Sequence, residues 1–368
     1  MSAYVLTFLL CLFFSPNLWA QIDLGIEEIS ATNEEEAEKT EEPSNKKSFF
    51  DKAFDFIGTD TSPKISKENL TLDELKANAE QGDIEAMLDL GYRYLYGVNG
   101  VKIDYKQAFY YYNLASQKNN PIALNNMGSL YFNGIGVEID YDTAIEYFKK
   151  AVEHGSSDAA LNLAVIYLGS NTKNKTQEEL EYSFELLNKA KSSNIYARYL
   201  LGYAHYIGFI VNQDYKTAFN YIKKAADNQY DEAQYMLAHL YIEGKGVTRN
   251  YTNAVTYLKL ASNQGHKDAI IRLADIYSEG AIFTKNIKEA HILYNIASVI
   301  GSEYAEQKRD ELEQKLKIED LLEVQSNAEK MKLSPSKQTT FARTTFGNSL
   351  KSYIDINVKT IKNNKIMK

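Results

Sequence analysis

Alanine returns along this chain at a nearly fixed interval. Ala86, Ala123, Ala159, Ala197, Ala233, Ala269 and Ala305 stand 37, 36, 38, 36, 36 and 36 residues apart. A period in this range marks a stack of like supersecondary units, and it constrains the fold more than any other property of the sequence. Four residues after each of the first six alanines stands Leu or Met (Leu90, Met127, Leu163, Leu201, Leu237, Leu273). One residue later comes Gly or Ala (Gly91, Gly128, Ala164, Gly202, Ala238, Ala274). Eight after the alanine is an aromatic ring: Tyr94, Tyr131, Tyr167, His205, Tyr241 or Tyr277. A glycine turn follows at Gly97, Gly134, Gly208, Gly244 and Gly280.

The second half of each unit has its own small residues, Ala108, Ala144, Ala218, Ala254 and Ala290. Each is followed seven positions on by Ala115, Ala151, Ala225, Ala261 or Ala297. Small residues at helical spacing let two helices approach closely, while the Leu and Tyr positions fill the gap between them. Gly supplies the positive φ that ends the first helix. Asp104, Asp140, Asp214, Asn250 and Asn286 are placed to cap the second. One such hairpin cannot bury its apolar face alone, but stacked neighbours can. The fold class expected is therefore all-α, a right-handed superhelical α/α solenoid of about six hairpins, from Asp83 to Gly301, with capping helices.

These residues resemble the Sel1-like repeat (SLR), a relative of the tetratricopeptide repeat. The family pattern stands almost intact at Ala123, Gly128, Tyr131, Gly134, Gly136, Val137, Asp140 and Tyr141, and again from Ala233 to Tyr251. The resemblance covers about 220 residues in phase. A half-unit from Leu70 to Gln81, with Ala77, Ala79 and Gly82, matches the end of a second helix. The third repeat departs from the pattern: Ser170 replaces the turn glycine and the loop Asn171–Thr176 is longer.

The flanks are of different composition. Tyr4 to Phe14 is an 11-residue apolar run, too short for the roughly 20 residues of a spanning helix. It fits the core of a secretory signal peptide over residues 1–20, with cleavage after Ala20 leaving Gln21 first. No Lys or Arg precedes the run, and Leu18 is large for its place near the cleavage point. Residues 21–69 are expected to be an acidic linker; Gln21 to Ser48 carry nine acids against three lysines and no aromatic ring, a composition that resists folding. Phe49 to Ile57 is a short apolar island within it. The repeats fill residues 70–301, and Glu303 to Met331 reads as a capping pair with one polar face within 302–333. Residues 334–368 read as a basic flexible tail, in which Ile354, Ile356 and Val358 alternate with polar residues as a short strand would. The only cysteine, Cys11, lies in the leader, so the mature chain relies on packing alone.

Function is read mostly by exclusion. A formal net charge of −8 disfavours nucleic acid, which needs a basic surface. Five His and one Cys leave no Cys/His zinc module and no disulfide framework. No catalytic nucleophile–base set, metal ligand set or cofactor motif is recognisable, so no enzyme activity, metal or cofactor is expected. The family includes members described as β-lactamase-like, which carry stapling cysteine pairs that this chain lacks; a hydrolase of that kind is the least favoured reading. As the resemblance implies, the first helices of the hairpins line a concave face that binds protein or peptide. In repeats four and five that face would be built from Tyr196, Tyr199, Tyr203, Tyr206, Tyr235 and His239. Tyrosine suits an interface anchor because it offers a flat body and one hydroxyl at low entropy cost. At Tyr199 and Tyr235 packing between repeats is the competing reading, and His205 at the repeat's Tyr position reads as a packing residue. The chain is expected to be an exported, monomeric interaction scaffold, periplasmic or secreted, with no membrane span after signal cleavage. The resemblance places such scaffolds at a bacterial envelope or, alternatively, among secreted host-interaction factors.

Overall fold

The structure, a computed structural model, describes residues 70–169, 176–280 and 282–346. Within these residues every regular element is an α-helix: α1 (Leu72–Glu80), α2 (Ile84–Tyr96), α3 (Tyr105–Ser116), α4 (Pro121–Asn133), α5 (Tyr141–Glu153), α6 (Ser157–Gly169), α7 (Gln177–Ala190), α8 (Ile195–Ile207), α9 (Tyr215–Asp227), α10 (Asp231–Glu243), α11 (Tyr251–Asn263), α12 (Lys267–Glu279), α13 (Ile287–Val299), α14 (Glu303–Glu313), α15 (Ile318–Lys330) and α16 (Lys337–Phe346). The chain divides inside α6 into two compact units, Met1–Ala159 and Ala160–Lys368. The expected signal segment and acidic linker, residues 170–175 of the third repeat's loop and the stretch around Ile354 lie outside the described residues.

The repeat alanines act as the spacing requires. All seven opening alanines, and both series in the second helices, have no exposed surface. The close approach they permit is tightest at the small residue five positions on. A Cβ on Gly128 would stand 2.8 Å from the ring of Phe148, and one on Gly91 would stand 2.8 Å from Tyr112. The turn glycines Gly97, Gly134, Gly208, Gly244 and Gly280 are all left-handed caps of their helices. A second turn glycine has a different duty. At Gly136 and Gly246 an added Cβ would fall on the backbone carbonyl of Tyr105 and of Tyr215, in the hairpin before. These glycines therefore seat one hairpin against the previous one.

Four of the hairpins also stack rings across their two helices. Tyr94 lies on Tyr111, Tyr131 on Tyr147, and Tyr241 on Tyr257, with centroids 5.8, 5.6 and 6.0 Å apart. His205 takes the same place and stacks on Tyr221 at 6.1 Å, the packing role its position implied. In the first unit the core gathers around Leu75, Leu90, Tyr112 and Met127. In the second unit one cluster includes Leu258, Leu273, Leu293 and Tyr294. Burying a Leu or Met of this kind contributes roughly 1.5–3 kcal/mol.

Three details differ from the sequence reading. Ala305 opens a seventh hairpin, α14–α15, so the repeats number about seven and the expected capping pair continues the series. In the third hairpin Ser183 fills the small-residue position of the second helix. It is buried, donates its hydroxyl to the Leu180 carbonyl, and stands seven residues before the buried Ala190. The basic tail is not free over its first part: Ser334 to Phe346 returns to the repeats and forms α16. Residues 347–368 of that tail lie outside the described residues.

Helix N-termini are capped in a regular way. Asp104, Asp140, Asp214, Asn250 and Asn286 cap the second helices as expected. The first helices take Asp83, Asn120, Ser156, Asn194, His266 and Ser302; α10 is the exception, with Tyr230 at its cap position and no side-chain cap bond. His266 accepts the Ala269 N–H at Nδ1, so the cap requires a neutral ring. Burial lowers the His266 pKa below its ordinary 6.5, outweighing Asp231 and Asp268, while Arg343 acts in the same direction as burial. Among the described residues no helix is long and apolar enough to cross a membrane.

Two outcomes follow from this packing. Gly128→Ala should destabilise the protein by about 1–3 kcal/mol through overpacking, read as a lower urea midpoint, and Phe148→Leu in the same chain should recover most of the loss. The unfolded chain protonates His266 before the folded chain does, so stability should be complete above about pH 6.5 and fall as pH drops below it. His266→Asn keeps a capping acceptor that does not titrate, and should flatten the melting-temperature decline between about pH 7 and pH 5.

Candidate partner-binding face

Tyr196, Tyr199, Tyr203 and Tyr206 follow one another at steps of three and four residues, so they form a single stripe along α8. The structure keeps the stripe and turns most of it inward. Tyr196 is buried, meets the Tyr230 ring edge-on at 5.4 Å, and donates its hydroxyl to the Gln338 carbonyl at 2.9 Å. Tyr199 has no exposed surface. Its ring is perpendicular to Tyr230 at 5.2 Å and its hydroxyl donates to Glu232 Oε1 at 3.2 Å. Burial and the neighbouring Glu232 carboxylate push its pKa well up. Tyr203 is buried between Tyr199 and Tyr206, stacked on each at 6.4 Å.

Surface contact by Tyr196, Tyr199 and Tyr203 is thus corrected. The first two rings fill the step between α8 and the start of α10, where Tyr230 and Glu232 meet them, and Tyr203 continues the stack. The competing reading of Tyr199, packing between repeats, is the one its geometry supports. A Tyr two residues after the repeat alanine points at the next hairpin because that position leans over the gap between adjacent first helices.

The other three residues remain partly exposed. Tyr206 donates to Glu243 Oε2 at 3.3 Å and accepts from Lys245 Nζ at 3.2 Å. That ammonium sits 4.9 Å from the Tyr206 ring centre and 5.0 Å from that of Tyr215. It also pairs with Glu243 at 3.0 Å, and these bonds raise the Lys245 pKa. Tyr235 stacks on His266 at 4.5 Å and meets His239 edge-on at 4.7 Å. Burial, then the Asp268 carboxylate, push the Tyr235 pKa up to about 12. Burial holds the His239 ring below its usual value, so it is neutral near pH 7.

Sequence reasoning missed the charged members of this face. Arg272, on α12, acts electrostatically on both Tyr235 and His239, and its Nε is buried with no hydrogen-bond partner. Lys245 stands between the two glycines of a turn, Gly244 and Gly246, where the repeat pattern leaves the residue type open. Glu232 is buried beside Tyr199, with its second oxygen 4.0 Å from His266 Nε2. Only the spacing of Arg272, three residues after the repeat alanine Ala269, could have marked it. Among the described residues no group of three or more His, Cys, Asp or Glu is placed to hold a metal ion. What the face offers is ring surface, tyrosine hydroxyls and a part-exposed guanidinium side chain. That is the chemistry of a contact surface.

The Sel1 repeat pattern matches residues 84–120, 121–156, 195–230, 231–266 and 267–298. The matched stretches omit α6–α7, the hairpin in which Ser183 replaces the alanine. Among solved structures, c5321, a protective antigen present in uropathogenic Escherichia coli strains and displaying an SLR fold, superposes with a TM-score of 0.55 at 23% identity, over 80% of this chain and 71% of that one. A Sel1 repeat protein from Oxalobacter formigenes superposes with a TM-score of 0.52 at 26% identity, over 62% of this chain and 99% of that one. No curated protein matches the sequence. Five matched repeats in this hairpin architecture place the chain in the Sel1-repeat family, whose repeats typically mediate protein binding.

Proposed function

We propose that the chain is an exported adaptor that holds a protein or peptide partner on the face carried by α8, α10 and α12, at a bacterial envelope. The observation that carries this reading is a face of half-buried rings, Tyr206, Tyr235 and His239, with the part-exposed Arg272 beside the last two. Tyr and Arg dominate the energetics of protein interfaces. The part-exposed Arg272 side chain suits pairing of its guanidinium with a partner carboxylate. The partner chemistry that fits is a segment with an apolar or aromatic side chain for the tyrosines and an acidic group for the guanidinium.

Export rests on the apolar run from Tyr4 to Phe14 and the small residue at Ala20. The secreted host-interaction role is the second reading. It draws on the description of c5321 as a protective antigen; at that identity the likeness speaks for the fold alone.

In-cell cross-linking and capture tests the adaptor role. The combined Tyr206→Ala, Tyr235→Ala, His239→Ala and Arg272→Ala variant should keep its helical circular dichroism and lose one defined partner by roughly tenfold or more, the loss expected for removing interface anchors. An unchanged partner set from the folded variant would move function away from this face. Mass spectrometry of the protein from cell fractions tests export. A chain beginning at Gln21 outside the cytoplasm is expected; an intact Met1 chain confined to the cytoplasm would refute it.

A further inference from the structure

The first helix α10 is the one whose N-terminus has no cap of its own, because Tyr230 stands where the other first helices of the repeats carry Asp, Asn, Ser or His. Its cap is supplied from 108 residues away. Thr339, in α16, has no exposed surface and accepts the Asp231 N–H at Oγ1, 3.0 Å away. The same hydroxyl donates to Gln264 Oε1 at 2.7 Å. Ser336 caps α16 by accepting the Thr339 N–H at 3.1 Å, and donates its own hydroxyl to the Gln229 carbonyl at 2.6 Å. Its N–H donates to Gln264 Oε1 at 2.9 Å. Gln264 is held ready for this by donating Nε2 to Gln234 Oε1 at 2.8 Å and to the Gln229 carbonyl at 3.1 Å. One turn after Thr339, Arg343 pairs with the buried Asp231 carboxylate. The Tyr196 hydroxyl donates to the Gln338 carbonyl.

These contacts form a notch across the N-terminal ends of α8, α10 and α12. It reads a hydroxyl, a second hydroxyl three residues later and a guanidinium four residues after that. Each of the three has a dedicated acceptor or donor: the Gln229 carbonyl, the paired Asp231 N–H and Gln264 amide, and the Asp231 carboxylate. A generic capping residue would use only the N–H. Among the described side chains of α16 and the turn before it, the contacts are neutral hydrogen bonds, each worth about 1 kcal/mol net, and the one Arg343–Asp231 pair. Before α16, Met331 and Leu333 pack on the apolar cluster of the second unit.

We propose that this notch is a segment-recognition site for a Ser-x-x-Thr-x-x-x-Arg helix, occupied in cis by the chain's own Ser336–Arg343 as an exchangeable plug. The attached segment has an effective concentration on the order of mM, so it keeps out a free copy of the same sequence. The inference goes beyond the adaptor role and does not depend on it, since none of Tyr206, Tyr235, His239 and Arg272 contributes to the notch.

The probe is a fluorescein-labelled synthetic peptide of residues 332–346, titrated with the full chain and read by anisotropy. The Thr339→Val, Arg343→Glu chain, whose plug is disarmed, should bind the peptide roughly tenfold or more tightly than the wild type, as removal of an intramolecular competitor requires. Thr339→Val alone, which keeps the Arg343–Asp231 pair, should give an intermediate gain and remains readable if the double variant folds poorly. Adding Asp231→Arg to a Thr339→Val, Arg343→Ala chain, whose own tail offers position 231 no charged partner, should abolish binding of the wild-type peptide and favour a peptide carrying Arg343→Glu. Equal, weak binding by wild-type and disarmed chains of unchanged helicity would overturn the proposal. So would tight binding that ignores the charge reversal at position 231.

Discussion

The contact on which everything else depends is the near-touching of the two helices within each hairpin. Gly128 lies so close to the Phe148 ring that a methyl group cannot be inserted without displacing it, and Gly91 stands in the same relation to Tyr112. Around these points the repeat alanines are fully buried. Close packing of this kind is intolerant of added volume. It brings the two helices near enough for their tyrosines to stack along the hairpin, and leaves one apolar face that only another hairpin can cover. The second turn glycine then sets the join: Gly136 and Gly246 press against the backbone of the previous hairpin, where no side chain fits.

That geometry explains why the tyrosine stripe of α8 is a joint more than a surface. The first helices stand side by side, and a ring leaning from one meets the N-terminal turn of the next. Tyr196 and Tyr199 therefore close around Tyr230, and the Tyr199 hydroxyl reaches the Glu232 carboxylate. Only toward the far end, at Tyr206, does the stripe reach solvent, where Glu243 at the end of α10 and Lys245 in the turn after it flank it. The exposed face is consequently mixed: rings from α8 and α10, charge from α12 and from the turn after α10.

The caps follow one rule with one departure. Most helix starts use a side chain that the repeat itself provides. At α10 the repeat provides Tyr230, whose ring is needed to fill the space beside Tyr196 and Tyr199. Packing and capping compete for one position there, and packing prevails. The uncapped N–H of Asp231 is then met by Thr339 from the far end of the chain. A tail whose composition suggests a solvated stretch of charge is thereby drawn into order over its first part, because it carries a hydroxyl and a guanidinium at the spacing that Gln264 and Asp231 can use.

By itself the sequence determined the local rules: where helices begin and end, which small residues lie between them, and that they pair into hairpins stacked in series. These follow from short-range physics, in which a turn glycine at positive φ, an Asp at a helix start or an alanine at each repeat interval has few alternatives. The caps Asp140 and Asn286, the turn at Gly134 and the packing of His205 were all legible on those grounds. The exposure of each tyrosine was not, since Tyr199 and Tyr235 occupy the same repeat position and differ only in what the next hairpin presents to them. Nor was the seventh hairpin plain, because α14 and α15 are rich in charge and keep little of the pattern beyond Ala305. The unpaired Arg272 N–H and the docking of Ser336, Thr339 and Arg343 were decided only in the tertiary structure. They depend on side chains from distant parts of the chain meeting at one place, and a linear spacing carries no record of that meeting.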